Sequence, residues 1–244
     1  MNMKKVLFTA CMLVFGISPL FASYDEALKL YESGKYREAL TILANELDVA
    51  KDLNEGAPNY NIRFLAAHCH WKLGNAESAI IHFQRCMDMK NRPIEPYIDL
   101  SLFFLQTNRL GDAETYANRG LQRGRNAMLY YVLGEVSFKR GNFWRAKELF
   151  ETANSIDPES YVSYNALGMA LMRLEKYGDA NTAFSVALAL NASSSEIWNN
   201  MGMSLEKLEQ YEEALAHYKK ANELDMENRT ILANMNRMKE RLKK

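Results

Sequence analysis

Three of the four histidines and two of the three cysteines crowd between His68 and Cys86. Imidazole nitrogens and thiolates are the ligands of tetrahedral zinc. His82 and Cys86, four residues apart, would share one face of a helix. On a pair of antiparallel helices, however, the set does not converge. His68, Cys69 and His70 would stand late in the first helix, beside the start of the second, while Cys86 would stand late in the second. The offset is about nine residues, roughly 13 Å at 1.5 Å per residue, against metal–ligand bonds of about 2 Å. A Cys69–Cys86 disulfide, needing Cα atoms within about 7 Å, is excluded by the same offset. The expectation is two free thiols, no metal, and Cys86 in a small-residue core position. There is no Gly-rich phosphate loop, nucleophile motif or HExxH sequence, so neither catalysis nor a cofactor is expected.

The helices that would position these residues are legible in the small side chains. Ala39, Ala79, Ala113, Ala146, Ala180 and Ala214 follow one another at 40, 34, 33, 34 and 34 residues. A fixed period of this size marks a helical repeat array. Twelve residues before each alanine stands a second small residue: Ala27, Ala67, Ser101, Gly134, Gly168 and Gly202. Four after it comes Leu43, Phe83, Ala117, Phe150, Phe184 or Tyr218. Each unit reads as two antiparallel helices with a tight turn, glycine at Gly34, Gly74 and Gly141. The small residues let the two backbones approach, and the bulky ones fill the seam.

Tyr164, Leu167, Gly168, Tyr177, Ala180, Phe184 and Ala187 form the clearest unit. Trp198, Met201, Gly202, Tyr211, Ala214, Tyr218 and Ala221 repeat it, as do Tyr130, Leu133, Gly134, Phe143, Ala146, Phe150, Ala153 and Pro158. This pattern resembles the tetratricopeptide repeat. The resemblance implies an all-α fold, a right-handed α-solenoid of about six helix-turn-helix units near 24–53, 60–93, 94–126, 127–160, 161–194 and 195–228. The tail 229–244 carries Ile231, Met235, Met238 and Leu242 at helical spacing, an amphipathic helix suited to cap the array.

Two irregularities interrupt the period. Asn54, Gly56 and Pro58 predict a loop within 49–61, after a lengthened second helix. Gly120 and Gly124 predict glycines inside the second helix of the third unit and a weak seam between the third and fourth units. That seam is either a local kink or a hinge between two halves.

The chain has 244 residues with 30 basic and 30 acidic side chains, which excludes a nucleic-acid footprint at whole-chain level. Residues 1–22 read as a secretory signal peptide: Lys4 and Lys5, then an uncharged apolar run from Val6 to Leu20, then Ala22. The expected location is the bacterial periplasm, with membrane association only indirect.

In tetratricopeptide repeats the first helix of each unit lines the inner, concave surface. The resemblance therefore implies a groove formed by Phe64, His68 and Trp71, by Ile98, Leu102 and Leu105, and by Met128, Tyr131 and Phe138. It continues through Asn165, Met169 and Met172 to Asn199 and Met203. Glu135, Val162 and Glu196 share this register. An apolar surface rich in methionine suits a helical or extended protein segment. Alternatively, Leu102, Leu105 and Met169 pack on neighbouring helices of a tight superhelix. No unit carries the Lys–Asn pair with which some family members clamp a C-terminal carboxylate. The function expected is a non-catalytic scaffold or adaptor for a cell-envelope protein, with a homodimer possible. The alternative is a pilot-like assembly factor for an outer-membrane secretin or pilus.

Overall fold

The computed structural model describes residues 19–49, 57–89 and 93–243. Among these there are thirteen helices and no strand. The chain divides into two compact units that meet in sequence at Pro93 and Ile94. In the first, α1 (Pro19–Glu32) pairs with α2 (Tyr36–Val49), and α3 (Ala57–Lys72) with α4 (Ala76–Met87). The second begins with α5 (Glu95–Gln106) paired with α6 (Leu110–Leu121), then α7 (Ala127–Lys139) with α8 (Phe143–Ile156). It continues with α9 (Tyr161–Arg173) and α10 (Tyr177–Leu190), α11 (Ser195–Lys207) and α12 (Tyr211–Leu224), and the single helix α13 (Arg229–Arg241). Each unit is a stack of antiparallel helix pairs, the solenoid architecture expected from the period.

Local chemistry explains where the helices begin and end. Asn126, Asn142, Ser160, Ser194 and Asn228 cap α7, α8, α9, α11 and α13, each side-chain oxygen accepting from backbone N–H groups of the first turn. Each hairpin turn contains one left-handed residue. Gly34, Gly74 and Gly141 supply it at φ of 80°, 76° and 81°. Asn108, Glu175 and Glu209 occupy the equivalent position at 58°, 59° and 61° despite carrying a Cβ.

The seam within each hairpin is as tight as the small residues suggest. Phe150, Phe184 and Tyr218 are fully buried. A Cβ added to Gly134, Gly168 or Gly202 would meet the corresponding ring: Phe150 Cδ1 at 2.7 Å, Phe184 Cδ1 at 2.6 Å, Tyr218 Cδ1 at 2.8 Å. The third hairpin changes both partners, with Ser101 and Ala117 buried where the others place glycine and an aromatic ring.

Several expectations need correction. α6 ends at Leu121, so Gly124 follows the helix instead of lying in it. The join between α6 and α7 is not loose: a Cβ on Gly120 would lie 2.7 Å from Leu129 Cδ1 and 2.9 Å from Tyr97 Cβ. Gly120 is there because α5 and α7 crowd it. The boundary between compact units falls one hairpin earlier than the anticipated hinge. Residues 57–61 belong to α3, Pro58 standing in its first turn where no N–H is needed. Residues 50–56, which carry Asn54 and Gly56, lie outside the described residues. In the cap, Ile231, Met235 and Met238 are buried, but Leu242 falls just past the helix end and is exposed. The signal-peptide reading lies outside the described residues up to position 18, and Pro19–Ala22 are the first turn of α1.

Candidate functional site

The histidine and cysteine group resolves into separate environments within the first unit. His70 and His82 stack at 5.4 Å between ring centroids, each with a buried, unpartnered Nδ1. His68 instead joins an aromatic cluster with Phe64, Trp71 and Phe83, at centroid distances of 4.8, 5.9 and 5.3 Å. Cys69 and Cys86 are buried free thiols. Burial pushes them up to about 11 and about 12, leaving both protonated and unreactive. The Cys86 thiol is 3.8 Å from the Tyr60 carbonyl, to which it donates weakly. Among the described residues no group of three His, Cys, Asp or Glu could hold a metal ion.

The second unit builds a cavity from the first helices of three successive hairpins. Its volume is about 460 Å³. α7 contributes Tyr131, Glu135 and Phe138, spaced to share one face. Val162, Asn165 and Met169 do the same on α9, with Tyr161 at its start. Asn191 and Ser194 from the preceding turn and Glu196 and Ile197 from α11 close the third side. The hairpin stacking puts these helices side by side, because α7 contacts α9 and α9 contacts α11 directly.

The cavity is aromatic and acidic together. Burial holds Glu135 above the usual carboxylate range; Lys139 opposes this with its charge, and Glu196 reinforces it. Tyr131 is raised by burial and by the same two carboxylates, so its hydroxyl stays neutral. Asn165 is engaged on both sides: its Nδ2 donates to Glu196 Oε1 at 3.1 Å, and its Oδ1 accepts from Asn200 Nδ2 at 3.0 Å.

Of the residues expected to line a groove, Tyr131, Phe138, Asn165 and Met169 converge on this cavity. Met128 is exposed, and Ile98, Leu102, Met172 and Met203 are half-buried. Leu105 and Asn199 are buried, so they serve packing instead of offering surface. Asn199 Oδ1 accepts from Asn234 Nδ2 at 2.9 Å, tying α11 to the cap. Phe64, His68 and Trp71 are half-buried in the first unit's aromatic cluster. Reading by register missed Tyr161, Asn191 and Ser194, which lie at hairpin junctions outside the first-helix positions it sampled.

The stacked pairs define a helical-repeat solenoid. Models of the tetratricopeptide repeat match residues 24–88, 128–160 and 195–225. The chain belongs to the tetratricopeptide repeat family. No curated protein matches it. Among solved structures, it is similar to the APC/C hetero-tetramer Cut9–Hcn1, with a TM-score of 0.74 at 15% identity. That match covers 90% of this chain but 42% of the other, so the chain spans less than half of that protein's length. A tetratricopeptide repeat protein from Parabacteroides merdae gives 0.64 at 16% identity, covering 91% and 85%. YrrB, described as having an unusual peptide-binding site, gives 0.59 at 17% identity, covering 78% and 96%. At these identities the likeness is one of fold.

Proposed function

We propose that the protein is a non-catalytic scaffold or adaptor that binds a helical or extended segment of a bacterial envelope protein along the first-helix face of its repeats. The observation that carries this reading is the cavity between α7, α9 and α11, walled by Tyr131, Phe138, Val162 and Met169. Tyr161 and Val162 of its lining are exposed, as is Met128 at the start of α7, and exposed apolar and aromatic side chains of this kind mark interfaces. YrrB has a peptide-binding site on the same fold, which supports the reading by analogy. The envelope location rests on the sequence of residues 1–22, with Lys4 and Lys5 ahead of an apolar run. No helix among the described residues is long and apolar enough to cross a membrane.

Site-specific photocrosslinking tests both parts. A benzophenone side chain is placed at Met128 or Val162 in the full chain, and at the exposed Glu148 of α8 as a control. The expected result is a discrete protein adduct from the first two positions and none from Glu148, recovered in the periplasmic fraction. An adduct from Glu148 alone would move the binding surface to the second helices. Recovery in the cytoplasm would overturn the location.

A further inference from the structure

We propose that the cavity between α7, α9 and α11 takes the side chain of a lysine or arginine from the bound segment. The inference rests on the groove reading and adds the chemistry of the anchor.

Two carboxylates face this space, Glu135 from α7 and Glu196 from the first turn of α11. Glu196 has Asn165 as its hydrogen-bond partner. Glu135 is half-buried, yet it makes no hydrogen bond or ion pair within the described residues. Burial and the neighbouring Glu196 both disfavour its charge, and Lys139, one turn along α7, offsets this without pairing to it. Tyr131, Phe138 and Tyr161 line the same space, and aromatic faces attract cations. The chain already uses this attraction at the edge of the site, where the Arg173 guanidinium lies 4.3 Å from the Phe143 centroid and 5.9 Å from that of Phe138.

The choice among occupants follows from charge. An apolar side chain would strip more water from Glu135 and return nothing. An acidic one would meet two carboxylates at short range. A lysine or arginine would lay its methylene stem against Met169 and Val162 and bring its charge to Glu135, restoring the partner that burial took away. A cavity of about 460 Å³ has room for either.

The test uses labelled alanine/leucine peptides of one length that differ only in a central lysine, arginine, methionine or glutamate. They are titrated by fluorescence anisotropy against wild-type protein, Glu135→Gln and Phe138→Ala. Glutamine keeps the shape and removes a disfavoured charge, so folding is preserved, and a circular dichroism melt checks this. The wild type should bind the lysine or arginine peptide at least about tenfold more tightly than the methionine peptide. Glu135→Gln should erase that preference by weakening the lysine and arginine peptides, without weakening the methionine peptide. A preference that survives Glu135→Gln, or equal binding of methionine and lysine peptides, would overturn the cation site. The groove reading would still stand if Phe138→Ala weakened every peptide. Absence of binding by all the peptides would overturn both.

Discussion

Gly168 and Gly178 lie in the same hairpin, and replacing each by alanine should have opposite effects. Both substitutions reduce the flexibility of the unfolded chain and raise helix propensity, a gain of about 0.5–1 kcal/mol. At Gly178 nothing lies within 4 Å of the new Cβ, so the gain should appear, reduced toward 0.5 kcal/mol because the residue sits in the first turn of α10. At Gly168 the new Cβ would sit 2.6 Å from Phe184 Cδ1 and 2.8 Å from Cζ. That ring is fully buried and cannot swing aside, so α9 and α10 must part. Overpacking of this kind costs about 1–3 kcal/mol, leaving a net change between about zero and a loss of about 2.5 kcal/mol after the propensity gain. Urea unfolding followed by circular dichroism reads both variants through the midpoint at constant slope. The first hairpin suggests a rescue, because Ala27 and Leu43 are both buried there at the same two positions. Gly168→Ala combined with Phe184→Leu should therefore be more stable than the sum of the single changes. If Gly168→Ala raised the midpoint as Gly178→Ala does, the ring-on-glycine seam would not be what sets the helix spacing.

Two further outcomes are expected. Glu209→Gly should raise thermal stability by about 1 kcal/mol, because Glu209 holds φ at 61° in the turn before α12 and glycine enters that region freely; an unchanged or lower melting temperature would show that the side chain earns its place there. Burial, with the charges of His70 and Arg63, lowers His82 from 6.5 to about 4, so as pH falls the unfolded chain takes up its proton first. Stability should be full above about pH 6.5 and decline toward pH 4, by about 1–2 kcal/mol once solvent screening of the half-open ring is allowed for. Urea midpoints at the two ends of that window should differ more for wild type than for His82→Leu, and equal differences would remove His82 as the cause.

The hairpins were legible because each carries a small-residue pair that only a close helix crossing requires. Ala180 and Gly168 announce their crossing as plainly as Phe184, which fills it. Other features were hidden for physical reasons. Gly120 looked like a helix-weakening residue, and only the crowding by Tyr97 and Leu129 shows it to be a packing requirement. Asn199 has the register of a surface ligand, but its partner Asn234 lies on the cap helix, outside the repeat that was being read. Tyr161 and Ser194 reach the cavity from junctions between hairpins, where repeat register gives no positional rule. The turn residue is legible where it is glycine, at Gly34, Gly74 and Gly141, but not at Asn108, nor at Glu175 and Glu209, where geometry overrides residue preference.

On the proposed reading, the polar groups of the second unit favour binding at α7 and α9 over the C-terminal end. There the chain satisfies itself. Burial alone would raise Glu206, but hydrogen bonds from Arg237 and Tyr218 outweigh it and hold its carboxyl below the usual range. Arg237 Nη2 donates to Glu206 Oε2 at 2.6 Å, and Nε donates to Oε1 at 3.2 Å. The Tyr218 hydroxyl donates to the same carboxylate at 2.8 Å. Arg241 donates to the Tyr211 hydroxyl at 2.6 Å and lies 4.1 Å from that ring's centroid. Two of the cap's basic residues are thus engaged in fastening α13 to the last hairpin, which lessens their appeal to phosphates. A ligand arriving there would have to break contacts the fold already makes. At Glu135 it would break none and would supply the charge that the desolvated carboxylate lacks.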